Sequence, residues 1–420
     1  MESDVHQRVS AWLCGAVVVA LLAAWPLVAS AATVTPADRV QQHIIVREEP
    51  TRESAEVGKL RKNEQAELLE APPFWYKVRL PSGEIGYVSK AWSRLIDAAP
   101  TPAAPAVPAT SVTAFNIHFL DVGTGDSAII DIGDREVVID GGDSVRVLHD
   151  YCARTGVIQD PIELAVVTHG DSDHWKGLNR LLGFDGQASH VHRLKEFWEP
   201  GYSRDCSQLD SYDEFIADVR GSVPAGGFHR PLETSHAPAA KTHRLEPFSL
   251  ADVPGLTITV LHTEANPTAT DCAYRINDAS IVLLIEVSGV RFLFTGDANG
   301  KERDEPGPGT PGHVEQQLLA LNAANPGALK ADVLKVPHHG SETASTQAFI
   351  DAVDPKFVII SASTKHHLPK DTVVHRYENA QRVILQTDAH RENDQDHIVC
   401  SGSGPGQVDC NFRDVLDDGG

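Results

Sequence analysis

Positive charge is scarce in this chain of 420 residues: 36 Lys+Arg stand against 58 Asp+Glu, a net charge of −22. The deficit is local. Residues 33–97 carry ten charges of each sign, whereas the segment from 113 onward holds 25 basic and 46 acidic residues. A surface of that sign repels polyanions, so ordinary electrostatic binding of DNA is disfavoured. No helix-turn-helix, zinc-finger spacing or basic stripe is present to support a transcription-factor role. With 41% hydrophobic and 22% charged residues, neither wholesale disorder nor a polytopic membrane protein fits. The length suits about two or three domains.

Charge is absent altogether from Val9 to Ala37, and Ala11 to Ala24 is almost purely apolar. Trp25-Pro26 breaks that run, and Ala29-Ser30-Ala31 follows as a small-x-small cleavage pattern. Residues 1–32 are expected to be a secretory signal peptide, with an uncleaved anchor as the rival reading; cleavage places the mature protein in the periplasm or outside the cell, with no membrane attachment. Cysteine is sparse, and five remain beyond that segment: Cys152, Cys206, Cys272, Cys400 and Cys410. Export permits disulfides. Cys400 and Cys410 flank a Gly-rich turn between two short extended runs and form the preferred pair; Cys206–Cys272 is a second option, and an odd count leaves one thiol free.

Residues 98–112, AAPTPAAPAVPATSV, hold four prolines and no charge, the composition of a semi-rigid extended linker. It separates two modules. The first, 36–97, alternates short apolar runs (HIIVRE, AELLEA, FWYKVRL, IGYVS) with turn residues, an all-β pattern of about five strands. Trp75, Tyr76 and Trp92 are its candidate core aromatics. The second module, 113–420, is α/β: the runs FNIHFLDV, SAIIDI, EVVIDGG, LAVVTH, LTITVLH, SIVLLIEV, VRFLFTGDA, DVLKVPHH and FVIISAS read as strands. Several are continuous Val/Ile/Leu stretches, as in strands covered on both faces. Helical patterns lie at 144–155, 175–182, 314–322, 345–353 and 373–379. The Gly-, Pro- and His-rich stretch of about 184–270 reads as an insertion bordering the site, its His190, His192, His229, His236 and His243 as surface histidines.

The chemistry concentrates where strands end, which is where α/β sheets place their sites. Directly after LAVV comes Thr168-His169-Gly170-Asp171-Ser172-Asp173-His174, four possible metal ligands in six residues. Imidazole suits Zn²⁺ and Mn²⁺, and carboxylates add hardness and charge. Three further strand ends repeat the arrangement: Asp297 after FLFTG, His338 and His339 after LKVP, and His366 and His367 after IISASTK. Any one alone would be weak; four in order form a constellation.

The order HxDxDH, TGD and a late His is similar to the metallo-β-lactamase fold of metal-dependent hydrolases. FLDVGTGD at 119–126, IDGG at 139–142 and LKVPHHGS at 334–341 resemble one subgroup, which holds the C-terminal hydrolase domain of the DNA-uptake channel protein ComEC and related secreted hydrolases. The first module resembles a bacterial SH3-like domain, a small all-β barrel that usually binds cell-wall peptides. These resemblances imply an αββα sandwich with two divalent metal ions, Zn or Mn, at one edge. His169 and Asp171 would hold one metal, Asp173 and His174 the other, and Asp297 would bridge them. Asp121 and Asp126 would support the site from below, and Asp140 would turn a strand end near the metals. Where many lactamase-fold enzymes carry a further His ahead of the TGD aspartate, this chain reads Asn277-Asp278-Ala279-Ser280, so His338 is the expected substitute ligand. Leu368 stands where the late His belongs, and His366 or His367 would have to reach its place.

The implied activity is metal-assisted hydrolysis by an activated water, with Asp173 orienting the nucleophile and His339 or His367 donating a proton to the leaving group. Lys176 and Lys335 are either anion contacts or surface lysines. A phosphodiester, small or single-stranded, is the favoured substrate. Hydrolysis of a β-lactam or another ester or amide is a second reading. A peptidoglycan-binding protein whose hydrolase site has degenerated is the third.

Overall fold

The computed structural model describes residues 33–96 and 114–413, apart from 38–39, 41, 52–53, 71–74, 189, 203–205, 207–210, 226, 230–246, 251–252, 364–366, 379–381, 389–396 and 405. The expected signal segment, the linker and His236, His243 and His366 lie outside the described residues. Residues 33–96 form one seven-stranded antiparallel sheet, with strands at Thr33–Pro36, His43–Arg47, Glu56–Arg61, Ala66–Glu70, Trp75–Arg79, Ile85–Ser89 and Ser93–Ile96. Val34, Val46, Leu60, Tyr76, Val78 and Val88 are its buried side. Trp92, expected in that core, is instead 42% exposed. On the outer face Lys77–Glu70 (2.9 Å) and Arg79–Glu67 (2.6 Å) pair across neighbouring strands, in keeping with the neutrality of this module.

Residues from 114 onward build two sheets that lie face to face. The first has eight strands, ordered Phe228–His229, Leu194–Trp198, Ile162–Val166, Glu136–Gly141, Ser127–Asp131, Phe115–Phe119, His397–Gly404 and Gln407–Arg413. The second has seven: Phe248–Leu250, Val253–His262, Val282–Val287, Val290–Phe294, Val333–Lys335, Phe357–Ile360 and Val383–Gln386. The apolar runs conceal a period of two, because both faces of each sheet are covered. Ile117, Phe119, Ile130, Val137, Ile139, Leu164 and Val166 point inward against Leu283, Ile285, Phe292, Phe294, Val333, Phe357 and Ile359. Phe119 stacks on Phe294 (5.4 Å), and Phe115 meets Phe292 edge-on (5.7 Å).

The alternate residues face helices. Ile129, Val138, Ala165 and Phe197 pack under Val147–Thr155, Ser172–Leu181 and Ser211–Ser222. Val282, Leu293, Leu334, Val358 and Ile384 pack under His313–Ala324, Gln347–Val353 and Asp371–Tyr377. The result is the expected αββα sandwich. The stretch at 184–270 is only partly an insertion: it supplies strands to both sheets and the helix Ser211–Ser222. Apart from LTITVLH, its apolar residues come in pieces too short for periodicity to reveal. His192, expected at the surface, is buried, and its backbone N–H donates to the Leu181 carbonyl. Disulfides join Cys206 to Cys272 and Cys400 to Cys410, leaving Cys152 a buried thiol. Among the described residues, no helix is long and apolar enough to cross a membrane.

Candidate metal centre

His169 follows the strand Ile162–Val166, and the chain then enters the helix Ser172–Leu181 at Asp171, its N-cap. Asp173 and His174 therefore project from the first helical turn, where the helix dipole favours a carboxylate. The loop at 121–126 abuts this turn. The Asp126 N–H donates to the Asp173 carbonyl (3.2 Å), and a Cβ at Gly125, whose φ is +105°, would lie 1.9 Å from that same oxygen. Only glycine fits there. Asp297 enters after the strand Val290–Phe294, and His338 and His339 after Val333–Lys335.

These strand ends meet at Asp297. His169 Nε2 lies 3.9 Å from Asp297 Oδ2, His338 Nε2 3.8 Å and His339 Nε2 3.2 Å, while His174 Nε2 is 3.4 Å from Oδ1. Asp171 is 3.7 Å from His169 Nε2, and Asp173 is 3.7 Å from His339 Nε2. Four groupings place ligand atoms close enough to share one ion: His169 with His174 and Asp297, Asp173 with His174 and His339, Asp126 with Asp297 and His339, and Asp126 with Asp140 and His174. Of the residues singled out from sequence, His169, Asp171, Asp173, His174, Asp297, His338 and His339 thus come together. His367 does not. It is exposed, with φ +55°, and takes no part in the cluster. His339, from an earlier strand end, joins the cluster instead. His339 was expected chiefly as the proton donor, yet it is the more deeply placed of the His338–His339 pair, at 2% exposed.

The imidazoles are anchored through their other nitrogens. Asp140, fully buried at a register shift in the strand Glu136–Gly141 with φ +58°, accepts from His174 Nδ1 (2.8 Å) and from the Thr168 N–H and hydroxyl (2.7 Å each). A bulge re-aims a side chain in this way. His339 Nδ1–H donates to the Ser361 carbonyl (2.8 Å), and His338 Nδ1 meets the Thr343 hydroxyl (2.7 Å). His338 and His339 sit at φ +49° and +52°. A left-handed conformation in a non-glycine residue costs about 1–3 kcal/mol and persists only where its surroundings demand it.

Fixed in this way, the Nε2 atoms of His169, His174 and His339, together with Asp297 Oδ1, are buried with no hydrogen-bond partner among the described residues. Each such orphan costs about 1–3 kcal/mol. Imidazoles held through one ring nitrogen and aimed with the other, bare, at a shared carboxylate are the donor set of a divalent cation, so the residues fit one. Without it, the cluster is highly charged. Burial favours a neutral Asp297, but His339, His174 and His338 outweigh it and hold the carboxyl well below its usual range. Burial likewise opposes charge on His174 and His339, yet Asp297 and the neighbouring acids raise both, His339 to about 10. His338 goes the other way: burial brings it down to about 4.

Lys335 was left from sequence as an anion contact or a surface lysine. It is neither. Its ammonium is buried, ion-paired with Asp126, 3.1 Å from the Gly296 carbonyl and 3.9 Å from Asp297 Oδ1. Lys335 and then His339 overcome burial to hold Asp126 at about 2. Lys176 pairs with Asp143 (2.7 Å), and the Asp121 carboxylate accepts from the Gly123 N–H (3.1 Å).

Residues 120–364 match the family model of the metallo-beta-lactamase superfamily, more than half of the chain. The chain belongs to that superfamily. Residues 43–94 match the bacterial SH3 domain. Among curated proteins the chain is similar to ComE operon protein 3 of Bacillus subtilis (strain 168), 25% identical over 296 residues, covering 65% of this chain and 32% of that protein. It is also similar to competence protein ComA of Neisseria gonorrhoeae, 29% identical over 114 residues, 27% of this chain and 14% of that one. The chain thus spans about a third or less of the length of these relatives. Among solved structures, the metallo-beta-lactamase fold protein YhfI from Bacillus subtilis aligns at TM-score 0.37 and 11% identity over 68% of this chain and all of that one. A diphosphatase of the PhnP family aligns at 0.35 and 13%, over 69% and 98%. Likenesses this low carry no argument about chemistry.

Proposed function

We propose that this metallo-beta-lactamase superfamily hydrolase is an exported phosphodiesterase that works with two divalent cations, Mn²⁺ or Zn²⁺. The observation that carries the reading is the set of three anchored imidazoles whose bare Nε2 atoms converge with Asp171, Asp173 and Asp297. Cations bound there supply Lewis acidity and a lowered pKa for water. The chain does the rest. Asp140 and the Ser361 carbonyl keep His174 and His339 in the tautomer with a free Nε2. Lys335 offsets the excess of buried carboxylate. Asp173, on the more open side of the cluster at 22% exposed, orients the attacking water.

The phosphodiester is supported by the ComEC-like motifs and by similarity to relatives named for competence. The acidic module favours a short or single-stranded diester over a duplex. Two disulfides and the apolar segment at 1–32 support export, and the SH3 match supports docking to cell-wall peptide.

The test is hydrolysis of bis(p-nitrophenyl) phosphate and single-stranded DNA by residues 33–420 with Mn²⁺ or Zn²⁺. Turnover should require the metal and vanish in Asp173→Ala. Full activity in that variant, or turnover of a cephalosporin but no diester, would overturn the proposal.

A further inference from the structure

One polar side chain beside the cluster was not expected from the sequence to act in it. Asn277 lies in the last turn of the helix Cys272–Asp278 and is 4% exposed. Its carboxamide oxygen is buried and finds no donor among the described residues. Its nitrogen lies 3.4 Å from His338 Nε2 and 3.5 Å from Nδ1, at the long limit of a hydrogen bond. His338 Nδ1 is already engaged by the Thr343 hydroxyl (2.7 Å), and its Nε2 faces Asp297 (3.8 Å). The oxygen is therefore unmatched among the described residues, and the nitrogen is held only loosely. A half-turn about the last side-chain bond exchanges oxygen and nitrogen at little steric cost, since the two ends have nearly the same shape.

The helix that carries Asn277 is fixed at both ends. Asp271 caps its start by accepting from Ala273 and Tyr274, and Cys272 is bonded to Cys206. At the other end Asp278 accepts from Asn299 Nδ2 (2.8 Å) and bonds His313 Nδ1 (2.8 Å). Asn299 lies two residues beyond Asp297 in the chain. A buried, unsatisfied carboxamide held on so constrained an element is costly unless something binds it.

We propose that Asn277 is a cation ligand, its carboxamide oxygen completing the position formed by His338, His169, Asp171 and Asp297. The inference rests on reading the cluster as a two-cation site and adds a difference between the two positions. The one served by Asn277 would have three oxygen donors, from Asp171, Asp297 and Asn277, whereas the one at Asp173, His174 and His339 has two, from Asp173 and Asp297. Oxygen-rich sets suit Mn²⁺, and imidazole suits Zn²⁺, so the Asn277 position should take up Mn²⁺ in preference to Zn²⁺.

The experiment counts bound Mn²⁺ by electron paramagnetic resonance, with and without competing Zn²⁺. It compares wild type with Asn277→Ala and Asn277→His, each first shown folded by circular dichroism. Wild type should bind two equivalents, one of them resistant to Zn²⁺. Asn277→Ala should weaken one equivalent at least ~tenfold, the scale on which even supporting residues act, and leave the other unchanged. Asn277→His should keep both and move that position at least ~tenfold toward Zn²⁺. Two Mn²⁺ equivalents with wild-type affinity and selectivity in both variants would overturn the assignment of Asn277 alone. No uptake of either metal by folded wild type would overturn the cation-site reading beneath it. Should Asn277→Ala not fold, Asn277→His decides between the same outcomes.

Discussion

Replacing Asp140 by Asn alters one atom of a residue that need not touch the metal, and the structure dictates its effect. Asp140 Oδ1 accepts from the Thr168 N–H, and Oδ2 from the Thr168 hydroxyl and His174 Nδ1. Asparagine tolerates the φ of +58°, so the backbone need not move. Its amide nitrogen cannot take the Oδ1 place, where it would face a backbone N–H, donor against donor. It must take the Oδ2 place. The Thr168 hydroxyl can turn to accept from it, but His174 Nδ1 can accept only by shifting its proton to Nε2, the atom 3.4 Å from Asp297. That blocks a ligand. The expected loss is 10- to 100-fold in metal affinity, the measured scale for supporting partners, or about 1.4–2.8 kcal/mol. The lost charged hydrogen bond costs about 1.5–3 kcal/mol of fold stability besides. Calorimetric titration with Mn²⁺ reads the first, urea denaturation the second, and ¹⁵N imidazole shifts report the tautomer. Affinity within twofold of wild type, with His174 Nε2 still unprotonated in the metal-loaded variant, would refute the reasoning.

Three other perturbations have defined signs. Lys335→Met strands the carboxylates of Asp126 and Asp297 and should cost about 3–5 kcal/mol in urea denaturation without metal; a change below about 1 kcal/mol would contradict the buried ion pair. Burial raises Glu315 from 4.5 to about 7 against the donors of Ser345 and Thr346. The folded state therefore holds this proton more tightly than the unfolded one. Its contribution is full below pH 4.5 and is lost as pH rises toward 7, by roughly 3 kcal/mol. Melting of wild type and Glu315→Gln across that window should show a shallower decline in the variant, and equal slopes would sink the idea. Cys272→Ser opens a crosslink spanning 66 residues and Cys400→Ser one spanning 10, so loop entropy predicts losses of about 4 and about 3 kcal/mol. Denaturation midpoints in the reverse order would argue against a chain-entropy origin.

The nine apolar runs that mark strands from 115 to 360 all form strands, because a stretch apolar at every position is what a sheet covered on both faces requires. The HxDxDH loop and Asp297 were legible for a related reason: polar ligand types directly after such runs have no core to pack. The Cys400–Cys410 pair was legible from its local turn. What stayed hidden was non-local. Leu194–Trp198 and the helix Ser211–Ser222 lie in a stretch whose apolar residues come in short pieces, and the strand is placed in the first sheet by its pairing with Ile162–Val166. The choice among His338, His339 and His367 turned on a left-handed backbone at 338–339, which spacing does not encode. The burial of Lys335 depended on Asp126, 209 positions earlier in the chain, meeting it beneath the site. Asn277 was legible only as a departure from the usual His, and its orphaned oxygen shows only in three dimensions.

The central claim is that the side chains converging on Asp297 form one two-cation centre. Metal content after Mn²⁺ or Zn²⁺ loading and exhaustive dialysis, compared between wild type and Asp297→Ala, tests it most directly. A carboxylate shared by both positions predicts two equivalents in wild type and loss of both on its removal, with the fold retained by circular dichroism. Two equivalents surviving in Asp297→Ala, or none in folded wild type, would contradict the account.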